Sequence, residues 1–336
     1  RRTDAEPQRA GRSACRSAKT QLRVENIMAG PVRHARDDKD VLAVYDLMHE
    51  TFCPNAPRRH IRPPFYFAYD VNDPDYRPEQ HIFRRDRKGV ASALKLFVRR
   101  LHHPSGPVKI TLIGGVCTRK DCRGQGFVGP IIRESLDYSR RIRAKAQFIV
   151  TPIRNYYLRY GYRYFPSIEY VGRLPDLPAR MPQVELLQSA DAAWMTKAYS
   201  TAADGYGPIV RSEDYMKNWI LGLRLARLNH VGLKLLRGGE PVAYLIADIS
   251  QRQARIREAV SERRNGRDLG LLTAHLRTLN KRRFVFFGHD DHPLIAYLNR
   301  RQKLRRRRIE RFMIYPFSDS CPEPDETFMY SSLDNV

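Results

Sequence analysis

The chain has 336 residues, 42% of them hydrophobic, which is enough for two domains with cores of their own. Its 60 Lys and Arg against 36 Asp and Glu give a formal charge of +24, so an acidic ligand or partner fits better than a basic one. No run approaches the roughly eighteen apolar residues of a membrane helix. The five cysteines (Cys15, Cys53, Cys117, Cys122, Cys321) lack metal-type spacing, which predicts reduced thiols in a cytoplasmic protein.

Residues 1–27 are polar, arginine-rich and aperiodic, and they read as a disordered leader without the apolar core of a secretory signal. Met28 stands where a natural start would lie, just before a first strand. Asp40 to Thr51 has helical periodicity, with Val41, Val44, Tyr45, Leu47 and Met48 on its apolar side. Phe52 to Arg87 is a long Pro-rich, aromatic segment of the kind that lines sites. Val90 to Arg99 reads as a strand, turned back by His102-His103-Pro104-Ser105-Gly106-Pro107, where the adjacent histidines read as solvated.

The most informative stretch follows. Ile110-Thr111-Leu112-Ile113 predicts a strand and Ile131 to Ile142 a helix, with Arg123-Gly124-Gln125-Gly126 between them. Glycines there let the backbone approach a ligand closely, and the N–H groups opening the helix favour an anion, so the turn reads as a pyrophosphate cradle. It lacks the Gly-Lys-Ser/Thr of a P-loop. Gly124, Gly126 and Gly129 do satisfy Gly-x-Gly-x-x-Gly, but the turn lies more than a hundred residues into the chain. No acidic residue follows about twenty residues later, as a dinucleotide fold requires.

Arg123-Gly124-Gln125-Gly126-Phe127-Val128 resembles the Arg/Gln-x-x-Gly-x-Gly/Ala motif of the GNAT superfamily of N-acetyltransferases, with Val128 in place of the last small residue and Gly129 next to it. Phe148-Ile149-Val150-Thr151 and Tyr157-Leu158-Arg159-Tyr160-Gly161-Tyr162 resemble the second family element, Tyr-x-x-x-Gly-Phe/Tyr. The likeness covers roughly 33–165. Gly114-Gly115-Val116-Cys117-Thr118 is similar to the lead-in of the enhanced-intracellular-survival branch, whose lipid-carrier-like third domain, with its terminal carboxylate, has no counterpart here.

The resemblance implies tandem α/β folds, each a mixed central sheet flanked by helices, with the second copy degenerate. It implies an enzyme that moves an acetyl or short acyl group from acetyl-CoA to a primary amine on a small molecule or peptide, by direct attack. Val116, Cys117, Thr118, Arg123, Gly124, Gln125, Gly126, Phe127, Val128 and Gly129 would hold the co-substrate. Tyr157 would protonate the leaving thiolate as general acid, and a backbone N–H of the 116–118 edge would meet the developing oxyanion. Five tyrosines lie in 156–165, so register alone separates Tyr157 from packing residues. Glu50 and Glu79 are candidate bases only by lying on the acceptor side in the family. Cys117 and Cys122 read as small residues filling the turn.

Leu174 to Pro182, with three prolines, reads as the linker between a domain at 28–178 and another at 183–318. Beyond it the pattern predicts a strand at 183–187, helices near 190–202 and 212–226, and strands at 231–237 and 241–250. At an offset of 144 residues Val260, Arg263, Arg267 and Gly270 repeat Val116, Arg119, Arg123 and Gly126. A helix (Leu271 to Leu279), a strand (284–287) and a helix bearing Tyr297 follow. Asp268 replaces Gly124, so a carboxylate would fill the vacated anion site and cap the helix. His289-Asp290-Asp291-His292 reads as a capped turn before Pro293 and not as a metal site. The basic run 300–308 invites a nucleic-acid reading, but without any recognition motif it predicts non-specific binding at most. Residues 319–336 form an acidic tail. A non-catalytic acyl-CoA sensor and a basic nucleic-acid-associated protein are the rival readings.

Overall fold

A computed structural model describes residues 30–52, 73–103, 105–153, 155–165, 167–202, 208–225 and 230–317. The leader, the start at Met28, most of the Pro-rich segment, Cys15, Cys53, Cys321 and the acidic tail lie outside the described residues.

The elements run β1 (Val32–His34), α1 (Asp38–Phe52), β2 (His81–Asp86), β3 (Gly89–Leu101), β4 (Val108–Thr118), α2 (Val128–Arg141), β5 (Ala146–Val150), β6 (Arg163–Tyr164) and β7 (Ser167–Arg173). After the proline-rich connection come β8 (Val184–Leu186), α3 (Ala192–Ala202), a π-helix (Tyr215–Leu225), β9 (His230–Arg237), β10 (Glu240–Asp248) and β11 (Ala254–Ser261). The chain continues with α4 (Gly266–His275), β12 (Arg283–Phe287), α5 (Pro293–Asn299), β13 (Arg305–Ile309) and β14 (Phe312–Pro316). The apolar side expected for the first helix is the buried side of α1, where Val41, Val44, Tyr45, Leu47 and Met48 all lie within the core. Gly238 and Gly239 form the hairpin turn between β9 and β10, both with positive φ.

The strands form two seven-stranded mixed sheets of the same plan. One is ordered β1-β2-β3-β4-β5-β14-β6 and the other, read from its opposite end, β8-β9-β10-β11-β12-β7-β13. In each, the fourth and fifth strands are the parallel pair, β4 with β5 and β11 with β12. In each, the sixth place is taken by a strand from the other half of the chain. β14 pairs antiparallel with β5 and β6, and β7 pairs antiparallel with β12 and β13. The sheets therefore do not divide at the proline-rich linker, because the two halves exchange a strand in each direction. The sequence pattern missed β7 and β14, since their place is decided by distant partners and not by local periodicity.

A shared core lies between the halves, where Phe97, Leu101, Leu112 and Phe148 of the first sheet meet Trp219, Tyr244, Ile246 and Val260. Two buried ion pairs flank it. Arg99 forms a two-pronged bridge to Asp73 at 2.8 and 3.1 Å and stacks on Tyr215 and Trp219. Arg211 meets Glu258 at 2.8 and 2.9 Å, and Tyr244 donates its hydroxyl hydrogen to the same carboxylate. Removing one partner of such a pair leaves an uncompensated buried charge; the first pair joins the halves through the stacking of Arg99 on Tyr215 and Trp219, and the second lies within the second half.

Candidate active site

The site grows out of the end of β4. Its first part is held on both sides, by β3 and by β5, but the parallel pairing with β5 covers only Thr111–Ile113 opposite Gln147–Ile149. Beyond Ile113 the strands part. Val150 keeps its pairing with Phe312 of β14 on the opposite edge of β5, while β4 continues along β3 with an extra residue between Gly114 and Cys117. The β5-facing side of Gly114–Thr118 thus carries backbone groups that no strand among the described residues pairs.

The chain then makes a short 3₁₀ turn at Lys120–Cys122 and a turn at 123–126 before α2. Gly124 and Gly126 have φ of +78° and +75°, and a Cβ on either would meet nothing within 4 Å. These two positions need glycine for their left-handed backbone, and the space over them is open. α2 begins with no side-chain cap at Phe127 and no acid in its first turn. Its leading N–H groups and positive dipole end therefore face that open space without an internal counter-charge.

The side chains around the turn divide into those that brace it and those that face it. Arg119 holds Asp86 with both ends of its guanidinium and reaches Asp121 at 2.7 Å through Nε. This holds both carboxyls below the usual range, chiefly through the hydrogen bonds from Arg119. Ser92 donates to the Cys117 carbonyl at 2.8 Å, Gln125 to the Asp121 carbonyl at 2.8 Å, and Arg123 Nε to the Thr118 carbonyl at 3.2 Å. Cys117 packs in the core under α1 and Phe127 packs beside Cys122, so both can serve a ligand only through their backbone. Burial pushes the two thiols up, to about 12 for Cys117 and about 11 for Cys122, which makes them inert as nucleophiles. Val128 is half-buried, and the small residue that helix packing requires is Gly129, whose Cβ would lie 3.3 Å from the Tyr160 hydroxyl.

Tyr157 is 3% exposed and belongs to the same apolar cluster as Ile113, Ile131, Ile132 and Ile149, against which Val116 and Val128 also pack. It thus lies among the residues where β4 and β5 part and α2 begins. Its ring meets Tyr156 and Tyr162 edge-on at 5.1 and 5.7 Å. The neighbouring phenols are committed elsewhere. Tyr162 donates to Gln147, Tyr164 accepts from the Asn155 N–H at 2.9 Å, and Tyr156 and Tyr160 hydrogen-bond each other. No described residue takes a hydrogen bond from Tyr157. Burial, helped by the charges of Tyr156 and Tyr160, raises its pKa far above the usual phenol value, so it keeps its proton. Glu79 is exposed in the 3₁₀ turn before β2, where its carbonyl contacts His34 Nδ1 at 2.6 Å, and Glu50 is exposed on α1.

Residues 32–165 match the family model of an acetyltransferase (GNAT) domain. The match spans 134 of the 336 residues and includes the 123–126 turn and Tyr157. Solved structures with the same fold cover nearly the whole chain. A GCN5-related N-acetyltransferase from Kribbella flavida has a TM-score of 0.66 at 15% identity over 87% of this chain and 72% of its own. A conserved protein of unknown function from Enterococcus faecalis, described as a probable N-acyltransferase, gives 0.63 at 15% over 86% and 72%. A GCN5-related N-acetyltransferase from Anabaena variabilis gives 0.64 at 14% over 85% and 72%. No curated protein sequence matches the chain. No helix among the described residues is long and apolar enough to cross a membrane.

The plan of the first sheet recurs in the second half, but its turn is different. α4 starts at Gly266, so the gap-free register that sets Arg267 and Gly270 against the first turn places both inside a helix. Gly270 instead allows close helix packing, since a Cβ there would come within 2.2 Å of the Tyr297 ring on α5. The N-cap is Asn265, whose side chain accepts from the Arg267 N–H at 3.0 Å, and not Asp268. Asp268 lies in the first turn, 3% exposed, held by Arg237 and by the Asn265 amide at 2.9 Å. The His289–His292 turn disperses its side chains. His292 caps α5 by accepting from the Leu294 N–H at 3.2 Å, and Asp290 accepts from Tyr170 at 2.6 Å.

Proposed function

We propose that the first half transfers an acetyl or short acyl group from CoA to a primary amine by direct attack. The observation that carries this reading is the conjunction of an uncapped, acid-free N-terminus of α2, an open two-glycine turn and the parting of β4 from β5 beside a buried, protonated tyrosine. The residues fit the group. Val128 and Gly129 offer N–H groups to a pyrophosphate, Gly124 and Gly126 let it approach, and Arg123 and Gln125 flank it. Val116, Cys117 and Thr118 present backbone along which a pantetheine arm would run. Acetyl-CoA supplies an activated thioester.

The chain's own work is to orient and to stabilise. The unpaired backbone of 116–118 supplies a donor for negative charge developing on the carbonyl oxygen. Tyr157 holds a proton toward the departing sulfur. Because burial makes it a weak acid, its part is a strong hydrogen bond that becomes a proton transfer only as the thiolate develops. The acceptor amine must shed a proton, and exposed carboxylates such as Glu79 serve as well as solvent does.

The test is release of free thiol from acetyl-CoA in the presence of a panel of primary amines, with Gly126→Asp as the control. Aspartate puts a like charge and a side chain into the cradle, at a position whose backbone disfavours any L-residue. Thiol release that depends on an amine and disappears in the variant supports acyl transfer. Acetyl-CoA binding without release under any amine would favour a sensor, and binding unaffected by Gly126→Asp would sink the assignment of the turn.

A further inference from the structure

A cavity of about 840 Å³ opens in the second half, and none of its lining residues belongs to the first sheet or to the 123–126 turn. Five arginines line it from separate elements: Arg173 from β7, Arg277 from the turn after α4, Arg282 and Arg283 at the start of β12, and Arg301 beyond α5. One carboxylate accompanies them. Asp176 bridges Arg277 at 2.5 Å, and the same arginine donates to the Leu174 carbonyl at 3.3 Å. Arg173, Arg282, Arg283 and Arg301 meet no carboxylate among the described residues, and Arg301 lies over the Tyr297 ring at 3.9 Å.

Arg173, Arg282, Arg283 and Arg301 are all exposed, so solvent screens part of their repulsion, but no described carboxylate balances them. Arg173 and Arg283 are direct cross-strand partners, and like charges opposite each other destabilise a sheet. Their backbones are not free to part. β7 and β12 pair over five residues, and Gln302 donates to the Arg173 carbonyl at 2.7 Å. A guanidinium is always charged and presents a fork of donors suited to the oxygens of phosphate. The volume is that of a small-molecule site and too small for a duplex. A single carboxylate ligand would leave most of the charge unbalanced.

We propose that this cavity binds a small polyanion bearing two or more phosphoryl groups, bridged by Arg173 and Arg283 and enclosed by Arg282 and Arg301. The site is independent of the acyl-transfer reading.

The experiment is calorimetric titration of the full chain with inorganic tripolyphosphate. In the Gly126→Asp background, which removes the phosphate cradle of the first half, one saturable site is expected, weakening as salt rises. Arg173→Gln with Arg283→Gln should lower its affinity about tenfold or more, the loss of charge-assisted hydrogen bonds. Arg282→Gln with Arg301→Gln, both exposed, should do the same if the first pair fails to fold. The control Arg305→Gln with Arg308→Gln removes equal charge from exposed β13 and should change affinity by no more than about twofold. Equal losses in the control and cavity variants, or loss of the site in Gly126→Asp alone, would overturn the proposal. Displacement of tripolyphosphate from the Gly126→Asp protein by CoA would identify the phosphates of CoA as the natural source. Failure to displace would point to a separate polyphosphate, and either result upholds the site.

Discussion

Tyr157 is set apart from its neighbours by what their hydroxyls do. Five phenols crowd one turn, and four spend their hydroxyls on Gln147, on the Asn155 N–H and on one another. The remaining one lies among the residues where the strands part. Tyr157→Phe keeps the ring and its edge-on contacts, so acetyl-CoA affinity and thermal stability should hold while amine-dependent turnover falls roughly 10²- to 10⁴-fold. Since the raised pKa keeps the phenol protonated through neutral and mildly alkaline pH, the wild-type rate should show no alkaline fall below about pH 10 that is absent from the variant. Turnover within about threefold of wild type would reduce Tyr157 to a packing residue. The register of Tyr157 to Gly161 was legible in the sequence. The brace around the cradle was not, because Arg119, Asp86, Asp121 and Ser92 come from three separate segments and carry no motif.

At the scale of elements, the contrast between α2 and α4 bears on how many co-substrates one chain would bind under the proposed function. α2 opens without cap or acid. α4 opens on the Asn265 cap with Asp268 buried in its first turn against Arg237. The repeat in the sequence pointed to a decayed second turn and singled out Asp268. It misplaced the register because α4 already begins at Gly266, so Arg267 lies exposed in its first turn and Gly270 packs against Tyr297. We expect one CoA per chain, counted by titration or native mass spectrometry. Asp268→Gly should destabilise the protein, by removing a charge partner of Arg237, without adding a second site, since the two-glycine turn is missing. Two equivalent CoA molecules on the wild-type chain would refute this. A second element-level expectation concerns the α5 cap. Burial lowers the His292 pKa to about 3, and the ring accepts a hydrogen bond only while neutral. In the unfolded chain the same group takes up a proton near pH 6.5, so stability is full above that pH and falls as pH drops from about 6.5 to about 3. Chemical denaturation of His292→Asn, which retains a cap acceptor, should show a shallower acid slope than wild type at some cost in stability at pH 8. Parallel slopes would mean that His292 does not carry the linkage.

The whole molecule is defined by the exchange of β7 and β14. A proline-rich linker between two similar folds suggests two units that could be cut apart, and the sequence offered nothing against it. Strand pairing between distant segments leaves no local trace beyond a short apolar run. Yet Met313 and Ile314 of β14 are 0% and 2% exposed in the first half, and Ile168 and Tyr170 of β7 are 4% and 1% exposed in the second. A fragment ending near residue 178 would lack the strand that separates β5 from β6, leaving the backbone edge of Ala146–Val150 open and its apolar neighbours wet. The burial lost with Met313 and Ile314 alone is roughly 1.5–3 kcal/mol per side chain, comparable in sum to much of the net stability of a typical domain. The complementary fragment would carry β14 with nowhere to dock and would lack β7 between β12 and β13. The full chain should therefore unfold in a single cooperative transition, with Met313→Ala and Ile168→Ala each lowering the same midpoint by several degrees, although they lie in different sheets. Residues 30–178 and 179–317 expressed separately should be aggregated or molten, and co-expression should recover a soluble complex by mutual strand exchange. A cooperative melt of 30–178 alone, within a few degrees of the full chain, would show that the exchanged strands contribute little and that the first half stands by itself.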